Sequence, residues 1–247
     1  MTAPTPLAKA NKLIESINEM LFDGVNNERL EEIIADTTRM KDIGQYTDAY
    51  NVLGMIAALR GDSTEVDRLF EAAMRSGGRE PWTLGNYAAA LNNLDRNADA
   101  VKIIDEVVEM TPDNLSAIKI AVKFHREAFD IDGTRELMAR CKALGTSIDD
   151  FESGYDLNET EALMKEHNVT WRDMASRVTL ASAALHQFGL SPRFSRVRIE
   201  DGILVHEFKI DKNVEVVTLA ENAMNDAIAE NHYSPVDTFL YFSCSTV

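Results

Sequence analysis

The stretch YTDAYNVLGMIAALRGDSTEVDRLFEAAMRSG, residues 46–77, decides the architecture. Two apolar runs with helical spacing flank Gly61-Asp62, and Asp62 with Glu65 three residues on is a capping-box-like start for the second helix. Tyr50, Leu53, Gly54, Ala57, Val66, Phe70 and Ala73 are its packing positions. The pattern returns 34 residues later as Leu84, Tyr87, Ala88, Leu91, Ala100, Ile104, Val107 and Pro112. After another 34 it returns as Ile118, Ala121, Val122, Thr134, Met138 and Cys141.

Paired helices at this period resemble the tetratricopeptide repeat family over residues 46–145. Residues 7–44 align as a degenerate repeat, with Ile14, Ile17, Leu21, Leu30 and Ile34 in the packing positions, and are expected to cap the array. Expected helices run from Leu7 to Phe22, from an Asn27 cap, from Gln45 to Arg60, from Trp82 to Leu94 and from Asn97 to Met110. The last pair is expected at Leu115 to Phe129 and Asp132 to Leu144.

In this family the first helix of each pair lines a concave groove. The resemblance therefore implies groove positions at Asn51, Met55, Ala58, Leu59, Gly85, Ala89, Asn92, Asn93, Lys119, Lys123 and Arg126. Lys119, Lys123 and Arg126 share one helix face at i, i+4 and i+7. A solvated face paired with Glu127, an acidic stretch of this chain folding back, and an external acidic peptide all fit that stripe.

Beyond the repeats the composition changes. Asp149, Asp150, Glu152, Asp156, Glu159, Glu161 and Glu166 face only Lys165, so residues 148–169 read as an acidic connector. Thr170 and Asp173 then cap a helix from Trp171 to Phe188. A hairpin at 194–210 turns on Asp201-Gly202, whose left-handed turn conformation suits those residues. A two-residue turn sets Ile199 against Leu204, Val197 against His206 and Arg196 against Glu207, the last as an expected ion pair. A helix from Val214 to Asn231 and a strand from Phe239 to Val247 complete an α-β-β-α-β unit over 170–247. The fold class expected is α+β: an all-α helical-hairpin solenoid at 1–147, then a small α+β domain.

The formal charge is −16, and residues 148–247 contribute −9 of it, from 17 acids and 8 bases. That balance opposes a sequence-independent grip on nucleic acid. Cys141 and Cys244 are far apart, and the five histidines lack metal spacing, so no disulfide framework, metal or cofactor is expected. Neither a phosphate loop nor a nucleophile elbow occurs. His206, on the apolar face of the hairpin, is the odd residue: a core histidine, or a base if acids converge on it. Gly54 and Gly85 are both expected to serve helix packing. No secretory signal or membrane-length apolar run is seen, and a cytoplasmic location is expected.

The expected function is non-catalytic protein binding through the groove, the acidic surface or both, as an adaptor, chaperone-like or immunity-type protein facing a basic partner. The alternatives are a homo-oligomeric scaffold, and an enzyme or ligand-binding module centred on the C-terminal unit. The tail Ser245-Thr246-Val247 also has the form of a strand-addition ligand.

Overall fold

The computed structural model describes residues 6–146, 155–190, 192 and 194–247. The N-terminal five residues and 147–154, which hold the first third of the acidic connector, lie outside the described residues. The chain divides into two compact units, residues 1–93 and 94–247.

Among the described residues of the first unit five helices follow one another: α1 (Pro6–Asp23), α2 (Asn27–Asp42), α3 (Tyr46–Leu59), α4 (Ser63–Gly77) and α5 (Pro81–Asn93). The cap of α2 is Asn26 rather than Asn27, since its side chain accepts from Arg29 N. Asp62 caps α4 through Glu65 N, as its spacing predicts. Helix α3 packs against α1, α2, α4 and α5. Its residues from Val52 to Leu59 are nearly all apolar, and a helix apolar all round must be covered all round. Gly54 is small for a clear reason: a Cβ there would fall 2.5 Å from the Phe70 ring of α4. Phe70 in turn stacks on Tyr87 of α5 at 4.9 Å, and Tyr87 donates to Asp67 at 2.8 Å. Gly85 is different. Nothing lies within 4 Å of a Cβ built on it, so close helix packing does not require glycine there.

The second unit holds α6 (Asn97–Met110), α7 (Leu115–Glu127), α8 (Ile131–Ala143), α9 (Leu157–Glu166), α10 (Trp171–Gln187) and α11 (Val214–Glu230). Its strands are β1 (Phe194–Glu200), β2 (Ile203–Ile210) and β3 (Leu240–Thr246). They form one sheet in the order β1-β2-β3, and a 3-10 turn at Pro235–Thr238 precedes β3. Antiparallel β1 and β2 take the register that the Asp201-Gly202 turn dictates: Ile199 opposite Leu204, Val197 opposite His206, Arg196 opposite Glu207. The expected ion pair moves by one step along the face, because Glu207 pairs diagonally with Arg198 at 3.3 Å and with Lys209 at 3.3 Å. Strand β3 lies parallel to β2, with α11 as the crossover.

One core joins the sheet to α10 and α11. Leu204, Phe208, Ile210, Leu240 and Phe242 of the sheet join Met174, Val178 and Leu185 of α10 and Val217, Ala220 and Met224 of α11. Phe129, in the α7–α8 turn, is fully buried in the same core. Helix α9 belongs to it through Leu163 and Met164. A capping box formed by Thr170 and Asp173 starts α10.

The repeat period is visible in the backbone itself. Gly61, Asp95 and Phe129 each close the first helix of a pair in the left-handed conformation, with φ of +73°, +53° and +62°. They stand 34 residues apart. Glycine is the ordinary choice there, and the two later copies hold the conformation without it.

Candidate functional site

The residues expected to line a groove fall into two sets, one in each unit. Asn51, Met55, Ala58 and Leu59 are all buried on α3. Asn51 donates to Thr47 O at 2.9 Å and to Thr83 Oγ1 at 3.2 Å, so its amide ties α3 to α5. On α5, Gly85, Ala89, Asn92 and Asn93 are half-buried.

In the second unit, Lys119 is half-buried and Lys123 is exposed, 3.7 Å from Glu127. Arg126 is half-buried and folds onto Tyr155. Its Nη2 donates to Tyr155 O at 2.6 Å, its guanidinium lies 5.1 Å from the Tyr155 ring centre, and the Tyr155 hydroxyl donates back to Arg126 O. Tyr155 also stacks on Phe129 at 5.3 Å. Tyr155 of the acidic connector is thus clamped onto one residue of the basic stripe. Among the described acids of the connector, Asp156 caps α9, and Glu161 meets Arg135 of α8 at 2.7 Å and pairs with Lys165.

Two buried histidines have strongly perturbed titrations, in opposite directions. His125 lies between carboxylates, with Nδ1 2.7 Å from Asp130 and Nε2 2.8 Å from Asp105. Burial would depress its pKa, but the two hydrogen-bonded carboxylates outweigh this and raise it to about 9. The imidazolium joins α6, α7 and the start of α8, and both its nitrogens are taken. Gly133 makes room for it, since a Cβ there would fall 2.2 Å from His125 Nδ1.

His206 has the opposite surroundings. Its ring lies 4.7 Å from Phe208, 5.8 Å from Phe242 and 6.5 Å from Phe129. Neither nitrogen has a hydrogen-bond partner among the described residues, and burial lowers its pKa to about 4. Among the described residues no acids converge on it; its neighbours are aromatic.

Asp95 escapes the sequence reading altogether. It occupies the left-handed position before α6, and its carboxylate accepts from Ser182 Oγ of α10 at 2.7 Å. Thr179 Oγ1 donates to Asp95 O at 2.8 Å. Burial pushes its pKa up, the Ser182 bond opposes this, nearby Glu127 adds to it, and the result is about 7. Only the recurrence of turn positions at the repeat period marks this residue in the sequence.

Both thiols are buried and raised by desolvation, Cys244 to about 12. Among the described residues no group of three His, Cys, Asp or Glu side chains could hold a metal, and no helix is long and apolar enough to cross a membrane.

The outer face of α11 is exposed along one stripe. Glu215, Leu219, Asn222, Asp226 and Glu230 follow one another along a single stripe and are all exposed, while Val217, Ala220 and Met224 point inward. Leu219 is 58% exposed, and just beyond the helix Tyr233 is 75% exposed. Residues 94–247 carry 27 acids and 16 bases, so this stripe sits in a strongly negative field. No protein-family model matches the chain, and no curated protein matches its sequence.

Proposed function

We propose that the chain is a non-catalytic, tetratricopeptide-like protein-binding module that captures a basic partner on the acidic face of its second unit. The observation that carries this is the α11 stripe. Glu215, Asp226 and Glu230 offer charge, and Leu219 supplies exposed apolar area between them. Exposed charges give steering and rate, while a buried apolar anchor gives residence time. The implied groove is a weaker candidate, because Asn51, Met55 and Arg126 are already engaged within the fold. An immunity-type or chaperone-like role, neutralising a basic effector, is the sharper form of the same proposal.

The test is a titration of the protein with a labelled lysine- and leucine-rich amphipathic peptide over a range of salt. Glu215→Lys, Asp226→Lys and Glu230→Lys combined should weaken binding by roughly a hundredfold and flatten its salt dependence. Equal affinity for the parent and the triple variant would remove this surface from the proposal.

A second reading is self-association of the first unit. Ile43 is 71% exposed and Tyr46 51% exposed where α2 meets α3, a pair that a second copy could cover. Sedimentation of the parent beside Ile43→Glu distinguishes it. A single monomeric species in both would end this reading.

A further inference from the structure

The first unit has a cleft of about 390 Å³ between α2, α3 and α4, and its charges do not balance. Lys41, Arg60 and Arg68 line it together with Asp62 and Glu65. It therefore carries one net positive charge, in a unit whose 9 bases face 14 acids. Arg68 is taken, since its Nε and Nη2 both donate to the Glu65 carboxylate at 2.6 Å. Asp62, whose side chain caps α4, stands two residues beyond Arg60 at the same end of α3 and offsets its charge. Lys41 is left over. Among the described residues no carboxylate pairs with it. Its ammonium lies 5.5 Å from the centre of the Tyr50 ring, which lines the same cleft, so the charge is held at that end. Lys41 is half-buried and within reach of a solute.

Tyr50 and Arg60 stand ten residues apart along α3, about 15 Å at the helical rise. A volume of about 390 Å³ drawn out along that length is long and narrow. Leu53, Ile56 and Ala57 of α3 and Leu69 of α4 line it, the last three of them buried. Apart from the Arg68–Glu65 pair, whose groups satisfy each other, this stretch offers no polar side chain. A peptide laid along it would leave its amides without partners, whereas an alkyl chain needs none.

One uncompensated cation at the end of a narrow apolar cleft calls for one anionic group on an unbranched apolar body. We propose that the cleft binds a medium-chain aliphatic carboxylate, its head group at Lys41 and its alkyl chain along Leu53, Ile56 and Leu69 toward Arg60. The site rests on the first unit alone, and its failure would leave the reading of the α11 stripe untouched.

The experiment follows the methyl resonances of Ile34 and Leu53, two half-buried residues of the cleft wall, in methyl-labelled full-length protein. Octanoate, octylammonium and N-acetyl-trileucine are added in turn. Octanoate should shift both residues, and octylammonium, the same chain with the opposite charge, should not. The peptide should bind at least tenfold more weakly than octanoate. Lys41→Gln keeps a polar side chain beside Tyr50 and removes only the charge. It should weaken octanoate binding at least tenfold, about 1.4 kcal/mol. The proposal is overturned if octanoate moves neither residue by roughly 5 mM, if octylammonium moves them equally, if the peptide binds as tightly, or if Lys41→Gln binds as the parent does.

Discussion

His206 and Phe129 meet across 6.5 Å in the core of the second unit, one from the central strand and one from a helix turn. The imidazole therefore has aromatic neighbours where it would need acceptors. Its folded pKa of about 4 lies below the ordinary 6.5, so the unfolded chain binds the proton first as pH falls. Stability should be full above pH 6.5 and decline toward pH 4, by roughly 3 kcal/mol. Urea unfolding of the parent and of His206→Leu at pH 7 and pH 5 checks this. The variant should lose less stability on acidification than the parent, and equal losses would contradict it.

At the alkaline end the sign reverses. His125 is held protonated by Asp130 and Asp105, with a folded pKa of about 9. Its contribution is complete below pH 6.5 and is lost as pH rises through 9. The loss should be roughly 2 kcal/mol, allowing for the half-exposed Asp105 carboxylate. Asp105→Asn should lower the His125 titration measured by NMR and flatten the alkaline decline. An unchanged titration would show that Asp130 alone holds the proton.

Asp95 supplies a third pH effect. A carboxyl raised to about 7 opposes folding progressively from pH 3.8 to 7, and fully above that. Asp95→Asn keeps an acceptor for Ser182 and suits the left-handed backbone. It should gain roughly 1–2 kcal/mol at pH 8 and little at pH 5. A gain independent of pH would mean that charge is not the cause.

Two glycines give a paired test of packing. Gly54→Ala should destabilise by about 1–2 kcal/mol, because the added methyl meets the Phe70 ring. Gly85→Ala meets nothing and should stabilise by about 0.5–1 kcal/mol. Thermal unfolding separates them, and the same sign for both would refute the distinction.

What could be read from the sequence was local chemistry. The Asp201-Gly202 turn gives the whole β1–β2 register, and Thr170 with Asp173 gives the start of α10, because each depends on residues a few positions apart. The parallel pairing of β3, the Asp95–Ser182 bond and the Arg177–Asp237 pair join residues far apart in the chain, and no spacing rule announces them. The burial of α3 was legible in principle, since apolar residues occupy almost every position from Val52 to Leu59. Assigning its groove positions by family position hid that. For the candidate sites, the basic stripe was visible as a pattern, but the hold of Tyr155 on Arg126 was not.

The left-handed residues at 61, 95 and 129 have a consequence for how such a chain can change its length. A duplication of residues 62–95 would rejoin the chain at the same backbone conformation from which it departed. Growth or loss by a whole 34-residue module needs no new turn, whereas any other increment must invent one. Glycine, aspartate and phenylalanine all occupy this turn position, so the turn fixes the spacing of the modules without fixing the residue that makes it.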